Sequence, residues 1–347
     1  PIQKIYKMNK QTNRILLIIL ITFIHSSISF AQSNPQWVVY QGNEGPGKGK
    51  HIVFVSGDEE YRSEEGLPML AKILAEHHGF KCTVLFAVDP KTNNIDPDNQ
   101  TNIPGLEHLK TADLMVMLLR FRELPDEQMK HIVDYTNAGK PIVALRTSTH
   151  AFSYSRNKQN PYAKYSYNSK IKGWEGGYGK KVLGETWINH HGVHAKEGTR
   201  ALINGLVKDH PVLRGVKDIW TPTDVYGILG LPNDAQVLIF GQTTMGMTAT
   251  SPLSYEKSVM PVAWIRNYSS ASGKKAKIFT TTMGASVDLI SEDLRRLIVN
   301  ACYWGTGMEN QIPAQNNVQV VGEYNPTMFG FGKYQRGLSP STFEWKK

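Results

Sequence analysis

Between residues 51 and 146 the chain alternates short apolar runs with stretches of helical periodicity, and this limits the folds open to it. "HIVFVS" (His51–Ser56), "KCTVLFAV", "ADLMVMLLR" (Ala112–Arg120) and "PIVALR" (Pro141–Arg146) are too short for helices and read as buried strands. Between them, "LPMLAKILAEHHG" spaces its apolar residues as a helix does and stops at Gly79. "PDEQMKHIVDYTNAG" (Pro125–Gly139) opens on proline and closes on glycine. This order predicts an α/β fold with a doubly wound, mainly parallel sheet.

Such sheets bind ligands beyond the carboxyl ends of their strands. That rule selects "GDEEYR" after the first of these strands, "RFRE" after the third and "TSTHAF" after the fourth. A long aromatic, glycine-rich insertion, residues 153–198, follows the fourth strand and has the length of a functional lid. "HPVLRGV", "TDVYGIL", "AQVLIFG", "MPVAWIRNY" and "AKIFTTTMG" then read as strand-like runs. "SEDLRRLIVNACYWGTG" (Ser291–Gly307) reads as a helix with serine at its cap. The chain thus divides into a polar lead-in over 32–50, one α/β domain over 51–307 and a tail over 308–347 that packs on it.

Residues 1–31 stand apart. Lys10 and Arg14 precede the apolar run Ile15–Ile24, and small residues follow at Ser29 and Ala31. This is the pattern of a secretory signal peptide over Met8–Ala31, with upstream residues before it. The expected mature chain is exported, periplasmic or secreted, with no stable membrane anchor. The four cations of this segment, Lys4, Lys7, Lys10 and Arg14, face no acid, so +5 of the net +9 remains. No dense basic run or basic-aromatic repeat accompanies that excess, which argues against nucleic acid as a partner. Cys82 and Cys302 sit in apolar segments and are expected as buried thiols; two cysteines are too few for a thiolate zinc centre.

The chemistry-bearing residues cluster at the selected strand ends. His150, at the turn after the fourth strand, suits proton transfer near neutral pH. Ser148 beside it lacks the flanking glycines of a nucleophile elbow. Asp58, Glu59 and Glu60 read either as sugar-hydroxyl or base groups or as helix N-terminal charge. Arg62, Arg120, Arg122 and Arg146 either grip substrate or pair with that acidic loop. In the insertion, "WINHHGVHAKEG" supplies His190, His191 and His194, with Trp187 and Glu197. These histidines read as acid/base or hydroxyl-binding groups, as metal ligands, or as a polar loop. His190 and His194 have metal-ligand spacing on a helix, but Gly192 interrupts it. Trp174, Tyr178 and the tail aromatics Phe329, Phe331 and Tyr334 could stack on sugar rings, though core packing is the commoner use of such residues.

Several of these stretches, in order, resemble the ThuA-like, or trehalose-utilisation, family. They are "GLEHLKTADLMVMLL", "LPDEQMKHIVDYTNAGKPIVALRTSTHAF", the pair Gly176-Gly177, "GQTTMGM", "PVAWIRNY" and "KIFTTTMGAS" before "LRRLIVNACYWGTG". The resemblance covers about residues 50–307 and implies a flavodoxin-like, class I glutamine-amidotransferase-like fold. It also implies carbohydrate metabolism, with keto-sugars among the substrates. Two positions depart from it. "RTSTHAF" carries no cysteine where an amidotransferase has its nucleophile, and Ala285 stands where many relatives place a histidine.

The expectation is an exported carbohydrate-active enzyme acting on a sugar or keto-sugar by isomerisation, elimination or hydrolysis. His150 would pair with one of His190, His191 and His194. Asp58 or Glu60 would assist, and Arg62, Arg120, Arg146, Trp187 and Glu197 would hold substrate. No cofactor is expected, a divalent metal at the histidines being the alternative. A non-catalytic glycan-binding protein is the competing reading. The enzyme reading requires "NHHGVH" to fold over the crevice and face His150.

Overall fold

The four apolar runs become four adjacent strands in the computed structural model, which describes residues 35–345. The predicted leader lies outside the described residues. The lead-in contributes an edge strand, β1 (Trp37–Tyr40), that its polar composition had hidden. Then come β2 (His51–Gly57), helix α1 (Ser63–His78), β3 (Lys81–Phe86), β4 (Leu114–Leu119), α2 (Asp126–Asn137) and β5 (Ile142–Leu145). The second half supplies β6 (Thr199–Ile203), β7 (Trp220–Thr221), β8 (Ala235–Thr243), β9 (Met260–Ser269), β10 (Lys275–Thr281) and α3 (Glu292–Gly305).

These strands form one sheet in the order β1-β3-β2-β4-β5-β10-β9-β8-β6-β7. β3, β2, β4, β5 and β10 are mutually parallel. Every residue of β2, β4 and β5 is buried, which is why they read as unbroken apolar runs. Leu67, Leu70 and Leu74 of α1 and Leu294, Leu297 and Ile298 of α3 cover one face with Phe54 and Val116. Met129 and Ile132 of α2 cover the other with Val55 and Met117. α1 stops where Gly79 turns left-handed at φ 76°.

The sheet is mixed, a correction to the mainly parallel expectation. β1 pairs antiparallel with β3, and β9, β8, β6 and β7 extend the far edge antiparallel. The cause is connection length: β10 follows β9 through a five-residue turn, which permits only a hairpin, whereas a parallel return needs a crossover of a dozen or more residues. "HPVLRGV" forms a single 3₁₀ turn at Pro211–Leu213 in place of a strand, and "TDVYGIL" only bridges the histidine loop. Ser291 occupies the cap of α3 without a side-chain bond. The tail packs back on the domain, with Phe343 stacked on Phe86 at 5.6 Å.

The chain runs β2–α1–β3 to one side of β2, then crosses back to β4 on the other side. This reversal opens a crevice at the carboxyl ends of β2 and β4, where open α/β sheets take their ligands.

Candidate active site

β2, β4 and β5 deliver three turns to that crevice. After β2, Asp58 folds the acidic loop inward: its Oδ1 accepts the backbone N–H groups of Glu60 (2.7 Å) and Tyr61 (2.8 Å), and its Oδ2 accepts the Thr147 hydroxyl. After β4, Arg120 lies against the rings of Phe121 (4.4 Å) and Phe331 (4.9 Å) and pairs with Glu59 and with Glu60 at 3.4 Å. After β5, a 3₁₀ turn over Arg146–His150 sets the His150 ring 5.0 Å from Phe121, with Nδ1 3.1 Å from the Thr149 hydroxyl.

The insertion closes over these turns. His190 and Gly192 pair with the 225–226 backbone through a bridge to Tyr226 and a hydrogen bond to Val225. A Cβ on Gly192 would stand 3.0 Å from the Asp224 Cβ, so glycine lets the loop lie flush against this segment. The outcome is one pocket of about 170 Å³ lined by Glu60, Arg120, Phe121, His150, Trp187, His190, His194, Tyr226 and Phe331. Trp187 is 5.7 Å from the His150 ring and 5.6 Å from the His190 ring, so the two imidazoles lie within about 12 Å of each other.

Asp224 organises the histidines. Its Oδ2 lies 2.7 Å from His190 Nδ1, and its Oδ1 lies 3.4 Å from His194 Nδ1 and 2.9 Å from Arg146 Nη2. Burial alone would raise its pKa; Arg146 and the two histidine hydrogen bonds outweigh that and hold the carboxyl well below the usual range. His194 also lies 3.2 Å from Glu60, and its hydrogen bond to Asp224 raises its pKa. His150 is moved the other way. Burial, with Arg120 and Arg146 nearby, lowers its pKa well below the ordinary value and keeps the ring neutral. Desolvation raises the Glu60 carboxyl, opposed by Arg120.

Five expected site residues are turned elsewhere. Asp58 is fully buried and serves the turn. Arg62, φ 57°, donates to the carbonyls of Glu59, Glu60, Met328 and Gly330 and to Thr327, fastening the tail. Arg146 is sandwiched between Tyr61 and Tyr226 at 4.5 and 4.0 Å, with its guanidinium on Asp224 and Thr282. His191 reaches the Ser258 carbonyl at 2.8 Å, outside the pocket. Glu197 accepts Val193 N–H at 2.6 Å and Lys257 at 2.5 Å. Asp58, Arg62 and Arg146 are held this way because polar groups need internal partners when buried, whereas His191 and Glu197 make their contacts at the surface. Ser148 donates to the Met117 carbonyl and is buried. Cys82 and Cys302 are free, buried and held protonated by desolvation.

Asp224 and Tyr226 escape the sequence reading because they lie inside the apolar run "TDVYGIL"; a lone carboxylate in such a run was their signal. His190, His194 and Asp224 each bring a ligand atom to within 4.8 Å of the others, the one set among the described residues that could hold a divalent ion. Arg146 on one Asp224 oxygen and His190 on the other leave that carboxylate little freedom to do so.

The chain is similar to ThuA-like proteins. One, from Parabacteroides merdae ATCC 43184, overlays 81% of this chain and 97% of its own at 14% identity, TM-score 0.46. Another, from Bacteroides uniformis ATCC 8492, overlays 76% and 93% at 16% identity, TM-score 0.45. PurLQS from Thermotoga maritima overlays 74% and 98% at 10% identity, TM-score 0.38. No protein-family profile and no curated protein matches the sequence. At such identities the chemistry is read from the pocket's own residues.

Proposed function

We propose that the chain is an exported carbohydrate-active enzyme that moves protons on a sugar or keto-sugar. The observation that carries this is the placing of three imidazoles in three different electrostatic settings around one small pocket. Sites that shuttle protons need groups whose environments push them apart. The ThuA-like sequence motifs point to carbohydrate as the substrate class. A volume of about 170 Å³ lies below the ~300–1,000 Å³ of drug-sized pockets and suits a single ring. Trp187 and Phe331 supply flat apolar walls for it.

Asp224 accepts the His190 Nδ1 proton and leaves Nε2 as a lone pair for the pocket. On a keto-sugar, His190 Nε2 takes the proton from the carbon next to the carbonyl. The C–H electron pair becomes the enolate, whose charge the Arg120 guanidinium on the pocket wall offsets. Return of the proton to the former carbonyl carbon, with the adjacent hydroxyl proton passing to the enolate oxygen, completes an isomerisation; departure of a β-substituent with its bonding electron pair, protonated by His190, completes an elimination. Neutral His150 hydrogen-bonds the substrate, and Glu60 holds His194 in place.

The test is incubation with native and oxidised mono- and disaccharides in deuterated water. The expected result is deuterium beside the carbonyl of one sugar, lost in His190→Ala by about 10²–10⁴ in rate. Binding without exchange or turnover would make the chain a glycan-binding protein instead.

A further inference from the structure

Away from the histidine pocket, the tail crosses the first turns of α1 and leaves a cleft of about 330 Å³ between them. Glu64, Met69 and Lys72 line it from the helix; Tyr324, Leu338 and Phe343 line it from the tail. Glu64 is 2% exposed, and neither of its carboxyl oxygens has a hydrogen-bond partner. No cation among the described residues answers it. The Arg62 donors go to carbonyls and Thr327, and Lys72 leans over the Tyr40 ring at 5.7 Å. Buried carboxyls are normally satisfied, so an orphan in the wall of a cavity marks a ligand's place. The other acids on the cleft, Glu65 and Glu323, add to the negative side of its balance against Lys72 alone.

We propose that this cleft binds a small organic cation, a primary ammonium on an apolar body. The ammonium donates to the two Glu64 oxygens, and the body lies against Met69, Leu338 and Phe343. An ammonium carries three donors and no acceptor, which matches an acceptor pair that nothing else supplies. A neutral alcohol offers one donor and no charge.

Protons are linked to this binding. Burial holds the Glu64 carboxyl up to about 8, with Glu65 and Asp58 raising it further and Arg62 opposing them. Lys72 lies further along the same helix, and Glu323 and Tyr324 line the tail side of the cleft. At pH 6 the arriving cation therefore displaces a proton. A chain of contacts runs from the cleft to the histidine pocket. Thr327 lines the cleft and is held by Glu65 and Arg62; Arg62 grips Gly330; Phe331 walls the pocket.

The probe is phenethylamine, titrated calorimetrically into the whole chain at pH 6 in buffers of different ionisation enthalpy. 2-Phenylethanol serves as the neutral isostere. Expected are saturable one-to-one binding of the amine, release of about one proton, and at least about tenfold weaker binding of the alcohol. Glu64→Gln should weaken the amine about tenfold or more and abolish proton release. Leu338→Trp, which fills the cleft from the tail side, should abolish binding while keeping Glu64. Absence of saturable amine binding, equal affinity for the alcohol, or amine binding that survives both substitutions overturns the proposal.

Discussion

His190 Nδ1 lies 2.7 Å from Asp224 Oδ2, and the carboxylate that makes this contact is itself clamped by a buried guanidinium. Asp224 is ionised and can only accept, so the neutral His190 ring carries its proton on Nδ1. The tautomer is set two residues deep, by Arg146 through Asp224, and Nε2 is the ring nitrogen left without a proton.

Asp224→Asn should therefore damage two things at once. Proton transfer should fall by about 10²–10⁴, as when a histidine loses the carboxylate that fixes its tautomer. Stability should fall by about 3–5 kcal/mol, because Arg146 is left charged and unpaired in the interior. Urea unfolding checks the second effect. His190→Ala, whose side chain is 34% exposed, should keep its unfolding midpoint.

Chelation should leave the protein unchanged. Arg146 and His190 already occupy the Asp224 oxygens, and a cation beside Asp224 opposes a second one. Dialysis against EDTA should alter neither the thermal midpoint nor deuterium exchange into the sugar. A drop in either, restored by zinc or manganese, would assign His190, His194 and Asp224 to a metal instead.

On the acid side, His78 should cost stability. Its Nδ1 meets the Tyr303 hydroxyl at 2.9 Å and its Nε2 the Asn317 carbonyl at 2.8 Å, and burial lowers its pKa to about 4. The folded ring is neutral while the unfolded ring takes a proton below about 6.5. Stability is thus intact above 6.5 and lost as pH falls towards 4, by at most about 3 kcal/mol. Urea midpoints from pH 7 to 4 should show this slope, and His78→Gln should lessen it, the buried rings of His51 and His150 supplying the remainder.

Glu64 acts in the opposite direction. Desolvation raises its pKa from 4.5 to about 8, so the folded carboxyl holds its proton where the unfolded one has lost it. Its contribution is fully present below about 4.5, declines as pH rises, and is gone above about 8, at most about 5 kcal/mol in all. Glu64→Gln should gain on the parent chain steadily across that window. Equal pH profiles for the two proteins would mean that the carboxyl is ionised throughout.

The parallel strands were legible because burial on both faces leaves no polar residue in β4 or β5. β6 and β7 were not: their partly exposed edge positions break the apolar pattern. The hairpin sense of β9 and β10 was readable in the short "SASGK" connection, but the parallel pattern earlier in the chain masked it. Strand ends located His150, Glu60 and Arg120, since chain direction alone sends them to the crevice. The roles of Arg62 and Arg146 were hidden, because their acceptors are carbonyls brought from residues 328–330 and 282 by the finished fold.

The pocket draws its walls from Glu60 at one end of the described chain and Phe331 near the other. On the ribosome, His150, His190 and His194 emerge well before Asp224 is threaded out, and the last aromatic wall arrives only with the tail. At about 5–20 residues per second the imidazoles wait several seconds or more for their carboxylate and then for their cover. A chain that stops between His194 and Asp224 thus carries every histidine of the pocket and not the carboxylate that organises them. The pocket is complete only once Arg62 has captured the strap that brings Phe331 into place.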